Sequence, residues 1–331
     1  MDKKKRPYVS VVIPVYNSER TIAMLGEELI QGLSPVYDLE LILVNDCSPD
    51  RSEQVCKSLF EKNPEYVRFF SLSKNVGEHN AVMAGLNQAL GDYVVIMDDD
   101  FQNPIQSVHQ LLDYALNHDC DVTYSIYSKK KHSLLRNLGS RFNGLLANVM
   151  LKKPKDLYLS SFKVLNRFLV DEIIKYQLPF PYVDGLILRT TDKIGKVEVE
   201  HQERLEGKSG YTLTKLVRLW LNMFTNFSIL PLRISFLFGL LLSLVGSVFG
   251  VVILIEKLTD PDMPLGYTSL ILIVLLFSGI QLMSLGIIGE YLGRIFLSLN
   301  RKPQFSIRKK WEVLPLRQNR KKTTGENKDK G

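Results

Sequence analysis

Three consecutive aspartates end an apolar stretch in the segment IMDDDFQNP, residues 96–104. Ionised carboxylates beside a buried strand are costly unless a cation meets them. A second apolar run, VVIPVYN at residues 11–17, also leads into polar side chains. The two stretches therefore predict a polar site, with a positively charged partner, at the ends of buried strands.

Strand and helix patterns alternate through the first 100 residues. The strand-like segments are YVSVVIPVY, LELILVND, VRFFSLS and DYVVIMDDD, and the helix-like segments between them are SERTIAMLGEELIQGL, SEQVCKSLFEK and GEHNAVMAGLNQAL. This alternation is typical of an α/β domain with a parallel sheet and helices on both faces. Ligands of such sheets bind outside the carboxyl ends of the strands, so PVYN, NDCSPD and DDDFQ are expected along one edge. Neither GxGxxG nor GxxxxGKS/T occurs, so a dinucleotide or P-loop site has no support.

Two long apolar segments follow the α/β pattern. Ile234 to Ile255 and Gly266 to Gly289 contain no charged residue, and each is long enough to cross a hydrocarbon core of roughly 30 Å as a helix. They predict a transmembrane hairpin over residues 233–298. The alternative, a pair of buried core helices, is disfavoured because soluble helices of this length nearly always show a polar face.

Charge around the two apolar segments predicts their orientation. The connector EKLTDPDMPL is net acidic, whereas both flanks are basic, with Lys215, Arg218 and Arg233 before and Arg294, Arg301, Lys302, Arg308, Lys309 and Lys310 after. The positive-inside rule then places both chain ends in the cytoplasm, with the protein in the cell membrane. The start, MDKKKRPYVS, leads directly into a strand and does not resemble a signal peptide.

The net charge of +7 is concentrated beside the apolar segments and in the C-terminal tail. Anionic lipid headgroups are therefore the expected partners. Nucleic-acid binding is not expected, since basic and aromatic residues are not interleaved. The three cysteines, Cys47, Cys56 and Cys120, show no CxxC spacing. This fits a reducing compartment and argues against a disulfide framework or a zinc site.

Seven motifs in order carry a family resemblance: VSVVIPVYNSE, LILVNDCSPD, NVGEHNAVMAG, DYVVIMDDDFQNP, SLLRNLGSRFN, HQERLEGKSGY and GIIGEYLGRIF. Together they resemble the family 2 glycosyltransferases of GT-A fold over about residues 8 to 300. They are most similar to the membrane-anchored branch that transfers a sugar from a nucleotide to polyprenyl phosphate. That branch includes the dolichyl-phosphate mannose synthases and the bacterial undecaprenyl-phosphate sugar transferases.

The resemblance implies a metal and diphosphate site in MDDDFQ. Asp98 and Asp100 match the family's D-x-D motif, and residues two apart on an extended chain point the same way. Mg²⁺ or Mn²⁺ is the implied cofactor, because these cations take one or two carboxylates together with substrate phosphates and water. Gln102 is expected to join them in catalysis, and Asp99 to lie at the nucleotide-sugar. The alternative is a solvated acidic turn.

The resemblance also implies a nucleotide pocket. Its expected members are Pro14, Tyr16, Asn17, Glu19 and Asp46. Glu19 would accept from a ribose hydroxyl, and Asp46 from an N–H of the base. The family's pattern is two acids followed by Gly-Ser, whereas residues 45–48 of this sequence read NDCS. This departure leaves the identity of the nucleotide base open. The alternative reading of Tyr16 and Asn17 is an ordinary turn at a strand end.

The segment KNVGEHNAVMAG matches a part of the family that lies beside the sugar and nucleotide. Lys74, Gly77 and His79 are the candidates there, because a glycine before a helix allows close approach of backbone to ligand. A structural role for His79 remains the alternative, since a single histidine is more often structural than catalytic.

Basic residues downstream match the family's acceptor site. Arg136 and Arg141 correspond to positions that hold the acceptor phosphate, which suits the forked guanidinium. Arg204 matches a family loop that closes over donor and acceptor, which implies a catalytic role for it, with Lys208, Ser209 and Tyr211 beside it. Solvated cations on helix faces are the alternative.

No general base stands out in the sequence. The second pKa of a phosphate monoester is near 6, so much of the acceptor is a dianion at neutral pH and can attack directly. Several relatives carry an acid at the position of Ser161, which puts a base there in doubt. Asp156 and Asp184 are the remaining candidates.

The sequence predicts four regions. They are a cytoplasmic GT-A domain at 1–210, interfacial amphipathic helices at 211–232, the hairpin at 233–298 and a basic tail at 299–331. A core helix of the soluble domain is the alternative for 211–232. Small residues along the spans permit close helix packing and favour a homo-oligomer; they are Gly239, Gly246, Gly250, Gly279 and Gly286.

The sequence as a whole predicts an inverting, metal-dependent transferase that makes a polyprenyl-phosphate sugar. UDP-glucose and UDP-N-acetylglucosamine are the donors that the resemblance implies, with GDP-mannose or a modified pentose as alternatives. Two other classes remain open: a catalytically silent scaffold that binds sugar-nucleotides, and a processive polysaccharide synthase. The second would need more spans and a Q-x-x-R-W motif, which the sequence lacks.

Overall fold

The chain forms two compact units. In this computed structural model, the residues that can be described are 6–127, 157, 159–200, 230–259, 266–300 and 303–313. The first unit comprises Met1–Gly210 together with Pro303–Gly331, and the second comprises Tyr211–Lys302. In sequence, the second unit is therefore an insertion into the first.

The first unit is built on one eight-stranded sheet. Its strands are β1 (Tyr8–Val15), β2 (Asp38–Asn45), β3 (Val67–Leu72), β4 (Tyr93–Ile96), β5 (Val122–Tyr127), β6 (Lys163–Asn166), β7 (Ile194–Val199) and β8 (Ile307–Trp311). The helices of this unit are α1 (Ile22–Leu33), α2 (Ser52–Lys62), α3 (Glu78–Gln88), α4 (Ile105–Asn117), α5 (Arg167–Ile173) and α6 (Val183–Thr190).

The strand order is β7-β5-β6-β4-β1-β2-β3-β8. Strands β1 to β4 are mutually parallel, and β5 pairs in parallel with β7. Strand β6 is antiparallel to β4 and β5, and β8 is antiparallel to β3. The predicted α/β fold with a mainly parallel sheet is confirmed, and the carboxyl ends of β1, β2, β3 and β4 share one edge.

Helices cover both faces of this sheet, which explains why β1 is apolar at nearly every position. Val11 and Ile13 on β1 belong to the same buried cluster as Leu25 and Leu29 of α1. The intervening residue Val12 points to the other face, where α3 approaches so closely that a Cβ on Gly85 would lie 2.3 Å from its side chain. Alternate residues of one strand thus fill two separate layers.

Strand β8 was not predicted, and it belongs to the segment that the sequence indicates as a basic tail. It pairs with β3 from Phe69 to Leu72. The indole of Trp311 stacks on Phe69 with ring centroids 4.7 Å apart, and Gln304 donates hydrogen bonds to the carbonyls of Tyr176 and Leu178. Residues 303–313 are therefore part of the sheet domain.

A buried ion pair connects three strands and the segment after β8. Arg68 on β3 donates to Glu40 on β2 at 3.0 Å and to Glu312 at 2.6 Å. Glu40 also accepts from the Ser10 hydroxyl at 2.5 Å and from the Leu90 amide at 2.6 Å. Because the charges are both paired and hydrogen-bonded, the desolvation cost of burying them is offset.

The second unit contains two long helices, α7 (Leu230–Thr259) and α8 (Tyr267–Leu299). Among the described residues, one 18-residue window, Ser235–Val252, is long and apolar enough to cross a membrane. Many large apolar side chains of α7 and α8 are exposed, and Ser235 donates a hydrogen bond to Ser284 across the pair at 2.9 Å. The predicted two-span hairpin remains a prediction. Residues 211–229, 260–265 and 314–331 lie outside the described part of the chain.

Replacing Glu40 by Gln should destabilise the sheet domain by about 2–4 kcal/mol, because an amide nitrogen would face donors and Arg68 would lose one of its two carboxylates. Glu172→Gln is the matched control, since Glu172 forms an exposed pair with Lys175 and should cost no more than about 0.5 kcal/mol. Thermal unfolding of the purified protein measures both. Equal melting temperatures for the two variants would contradict the buried role of Glu40.

Candidate active site

The three aspartates lie in the turn after β4, a central strand between β1 and β6. Their carboxylates bond to different parts of the chain. Asp98 accepts a hydrogen bond from the Ser161 hydroxyl at 2.6 Å. Asp99 accepts from the Tyr16 amide at 3.3 Å and from the Ser18 hydroxyl. Asp99 therefore bonds to the loop after β1, and Asp98 bonds to Ser161, two residues before β6.

The Asp99 carboxylate is hydrogen-bonded within the protein. Burial raises the pKa of its carboxyl to about 6, and the charges of Asp98 and Asp100 add to the rise, while the bonds from Ser18 and Tyr16 oppose it. The contact with the nucleotide-sugar predicted for Asp99 remains a prediction. What the structure shows is that this carboxylate joins the D-x-D turn to the Tyr16 loop.

Asp98 and Asp100 suit a divalent cation by the chemistry of their donor atoms. Both are carboxylates. The Asp100 carboxylate accepts a hydrogen bond from the backbone amide of Gln102 at 3.2 Å, within its own turn. Within the described residues, no group of three or more His, Cys, Asp or Glu side chains is arranged to hold a metal ion. Two carboxylates are what Mg²⁺ or Mn²⁺ takes from a protein when substrate phosphates and water complete its coordination.

The predicted nucleotide residues gather at the ends of β1 and β2. Pro14 lies within β1, opposite Val44. The ring of Tyr16 is 48% exposed, so it can stack on a planar base. Asn17 adopts a left-handed backbone with φ 58°, a conformation that asparagine tolerates better than most residues. Glu19 accepts from the Arg51 amide at 2.9 Å, at the start of α2, so its carboxylate also has a structural partner.

Hydrogen bonds to the Asp46 carboxylate hold the loop that precedes α3. The two oxygens of this carboxylate accept hydrogen bonds from the amides of Val76 and Gly77, both at 2.8 Å. Burial raises the pKa of Asp46, and these two bonds oppose the rise. Gly77 needs to be glycine because its φ is +88°, although a Cβ there would meet open space. The base contact predicted for Asp46 remains a prediction beside this observed role.

His79 lies in the first turn of α3 and is partly buried. The edge of its ring meets Tyr182 at 5.2 Å between centroids. Burial lowers the pKa of His79 to about 4; nearby Asp184 opposes this shift, and Lys163 adds to it. The imidazole is therefore neutral at neutral pH. Lys74, the other side chain predicted in this segment, is exposed.

A buried polar cluster of Lys163, Asp184 and Tyr124 was missed by sequence reasoning. Lys163 on β6 forms an ion pair with Asp184 of α6, and the Tyr124 hydroxyl donates to the same carboxylate at 2.8 Å. Burial, with Asp184 nearby, raises the pKa of Tyr124, so this donor stays protonated. The register pairs Lys163 with Ile96 of β4, which puts the cluster beside the strand that carries the aspartates.

The cluster bears on the choice of a base. Asp184 was one candidate, but its carboxylate is already paired with a lysine and a tyrosine. The Ser161 hydroxyl donates a hydrogen bond to Asp98 at 2.6 Å. Neither arrangement supplies an available base. Asp156 and the predicted acceptor-side residues Arg136, Arg141, Arg204, Lys208, Ser209 and Tyr211 lie outside the described residues.

Comparison with known proteins gives consistent matches. The family model described as Glycosyl transferase family 2 matches residues 10–174. The "Uncharacterized glycosyltransferase YkcC" of Bacillus subtilis (strain 168) is 32% identical over 312 residues, which cover 92% of this chain and 94% of that protein. The undecaprenyl-phosphate 4-deoxy-4-formamido-L-arabinose transferase of Edwardsiella ictaluri (strain 93-146) is 31% identical over 316 residues, covering 92% and 95%.

Among solved structures, a glucosyl-3-phosphoglycerate synthase from Mycobacterium tuberculosis, in complex with uridine diphosphate, is similar with a TM-score of 0.48 and 20% identity. The alignment covers 66% of this chain and 79% of that chain.

Replacing His79 by Gln should flatten the dependence of stability on pH. The unfolded chain protonates this histidine near pH 6.5 and the folded chain only near pH 4. The unfolded state therefore binds more protons in this window, and stability falls as the pH is lowered through it. Between pH 6.5 and about pH 4.5 the melting temperature of the variant should fall by up to about 8 °C less than that of the unaltered protein. Parallel curves for the two proteins would contradict this environment.

Proposed function

Because this chain belongs to glycosyl transferase family 2, we propose that it transfers a sugar from a nucleotide-sugar to a polyprenyl phosphate. The observation that carries the proposal is the pair Asp98 and Asp100 at the end of β4, joined through Asp99 to the exposed Tyr16. A site for diphosphate thus adjoins an aromatic ring for a base. The similarity to undecaprenyl-phosphate transferases over more than nine-tenths of both chains supports the lipid acceptor.

Asp98 and Asp100 would hold Mg²⁺ or Mn²⁺. The cation would neutralise charge that develops on the departing nucleoside diphosphate. The protein's own contribution is to keep the two carboxylates in place. The Ser161 hydroxyl, just before β6, bonds to Asp98, and the backbone amide of Gln102 bonds to Asp100 within the turn. Gln102 completes the catalytic turn in this proposal.

The acceptor phosphate would itself act as the nucleophile. A phosphate monoester with a second pKa near 6 is largely a dianion at neutral pH, so its oxygen can attack the anomeric carbon of the sugar while the nucleoside diphosphate leaves from the opposite face. The pairing of Asp184 with Lys163 supports a reaction without a protein base. Arg136, Arg141 and Arg204 would bind the lipid phosphate and the diphosphate, with Lys208, Ser209 and Tyr211 in the same loop as Arg204.

The donor sugar is proposed from the relatives. The comparisons do not confirm UDP-glucose or UDP-N-acetylglucosamine, the donors that the family resemblance favours. Several curated relatives are named for 4-deoxy-4-formamido-L-arabinose, a modified pentose. A nucleotide-linked form of that sugar is therefore the first donor to test, and the two hexose donors follow.

We also propose that the protein crosses the membrane twice, with the sheet domain in the cytoplasm. Strand β8 follows α8 in the chain, yet it pairs with β3. Residues before α7 and after α8 must therefore lie on the same side of any membrane, and the chain between them crosses an even number of times. If Ser235–Val252 is one span, α8 must provide the second. The basic flanks support the cytoplasmic side.

Incubating the full-length protein with radiolabelled nucleotide-sugars, undecaprenyl phosphate and Mn²⁺ should move the label into an organic extract. Asp100→Asn should lower this transfer at least about a hundredfold, because it removes a ligand charge for the cation. The exposed Asp119→Asn, which changes a surface pair with Lys193, should leave transfer unchanged.

Two outcomes of this assay would contradict the proposal. Full activity of Asp100→Asn at limiting Mn²⁺ would remove the metal assignment. Binding of a nucleotide-sugar with neither transfer nor hydrolysis, across the donor panel, would favour a silent binding scaffold instead.

Cysteine labelling from outside intact cells tests the topology. A membrane-impermeant maleimide should label Asp262→Cys in the connector and should fail to label Asn319→Cys in the tail until the membrane is permeabilised. Asp262 lies between the two helices in sequence, and Asn319 follows the second of them. Labelling of Asn319→Cys in intact cells would overturn the proposed orientation.

A further inference from the structure

A chain of hydrogen bonds begins on β8 and runs into the sheet. The Lys309 ammonium donates to Glu53 of α2 at 2.7 Å. The other oxygen of Glu53 accepts from the Ser71 hydroxyl on β3 at 2.9 Å. Ser71 in turn accepts from the side-chain amide of Asn45, at the end of β2, at 3.1 Å. Four elements are thus connected through side chains alone.

The chain continues to the loop after β1. The oxygen of Asn45 accepts from the Ser48 amide at 3.2 Å. The Ser48 hydroxyl accepts a hydrogen bond from the backbone amide of Asn17 at 3.2 Å and donates one to the Val15 carbonyl at 3.4 Å. Asn17 has the left-handed backbone that turns the chain after Tyr16. We call this series the β8 relay; its members are Lys309, Glu53, Ser71, Asn45, Ser48 and Asn17.

Every member of the β8 relay has a fixed role as donor or acceptor. Ser71 donates to Glu53 and accepts from Asn45, and Asn45 uses both ends of its amide. Hydrogen bonds arranged in this way polarise one another and strengthen together. Asn45 is 0% exposed and Ser71 is 2% exposed, so neither can replace a lost partner with bulk water. Loss of one hydrogen bond therefore weakens the next hydrogen bond in the series.

Glu53 supplies the charge of the relay. The hydrogen bond from Lys309 lowers the pKa of Glu53, the bond from Ser71 lowers it further, and burial opposes both. Glu53 is therefore an ionised acceptor near neutral pH, and bonds to ionised groups are stronger than neutral ones. Lys309 thus stabilises the carboxylate on which Ser71 is oriented.

Strand β8 also reaches the second loop of the predicted donor site. The Ser306 carbonyl, one residue before β8, accepts from the Ser73 amide at 2.9 Å. Ser73 directly precedes Lys74, in the loop that Asp46 holds at Val76 and Gly77. The two loops next to the expected nucleotide therefore both depend on the segment that follows α8.

We propose that Lys309, Glu53, Ser71, Asn45 and Ser48 are positioning residues for the nucleotide part of the donor, acting through Asn17 and the Tyr16 turn. This inference rests on the proposed function, because it supposes that the Tyr16 turn binds a nucleotide. It assigns to β8, which lies beyond the membrane-anchor helices in sequence, a part in donor affinity. The acceptor lipid is not affected by the relay.

Calorimetric titration of the full-length protein in detergent, with UDP and separately GDP in the presence of Mn²⁺, tests the inference. Lys309→Met and Ser71→Ala should each weaken binding of the preferred nucleotide by about threefold to tenfold. The matched control is Lys310→Met, the neighbouring lysine, whose ammonium lies over the Phe70 ring at 6.0 Å. It should bind as the unaltered protein does. Glu53→Gln replaces Ser71→Ala if that buried change impairs folding.

A charge swap separates the relay from a simple attachment of β8. In Glu53→Lys/Lys309→Glu an ion pair can form again, but Ser71 loses its acceptor. The melting temperature lost in Lys309→Met should return in the swap, whereas nucleotide affinity should stay low. The apparent KM for undecaprenyl phosphate should be unchanged in all of these variants.

The outcomes distinguish the inference from the function on which it rests. If the unaltered protein binds neither nucleotide, the proposed function fails and the inference with it. If it binds one nucleotide and Lys309→Met and Ser71→Ala bind it equally well, the inference alone is overturned. Restored affinity in the charge swap would also overturn it, because attachment of β8 would then be sufficient.

Discussion

Crowding of three carboxylates at the end of a buried strand is the constraint on which the candidate site depends. Asp98 accepts a hydrogen bond from Ser161 before β6, while Asp99 accepts one from the backbone amide of Tyr16 after β1. Asp100 bonds within its own turn. The repulsion among the three is thereby spread over three neighbouring segments. The donors named here, from Ser161, Tyr16, Ser18 and Gln102, are neutral hydroxyl and backbone amide groups.

The parallel core was accessible from sequence because its signals are local. Each of β1 to β4 is a mainly apolar run followed by polar residues, and this pattern indicates both the strand and the edge at which its polar end lies. Strand β8 lacked such a signal. Its sequence, IRKKW, carries three cations in a row and is typical of a solvated tail. Phe69, far earlier in the chain, provides the ring on which Trp311 stacks.

Pairs that join distant segments account for what else was missed. Lys163 lies on β6 and Asp184 on α6. Neither residue type indicates an ion pair unless the packing of α6 against β6 is known. The two departures from the family pattern gain physical reasons in the structure. Asn45 and Ser48 use their polar groups within the protein. A serine at 161 gives Asp98 a hydrogen-bond donor at 2.6 Å, where an ionised acid would have no proton to donate.

The late position of β8 in the chain also constrains the order of events during synthesis. A ribosome produces β1 to β7 first, then the apolar helices α7 and α8, and only afterwards the strand that covers the edge of β3. Until Trp311 has emerged, that edge has unpaired backbone groups and an uncovered Phe69 ring, which favours association with other chains. Helices that are already captured by a bilayer would hold the nascent domain away from its neighbours during this interval. Completion of the sheet is thus a late step of synthesis, one that comes after both apolar helices have been made.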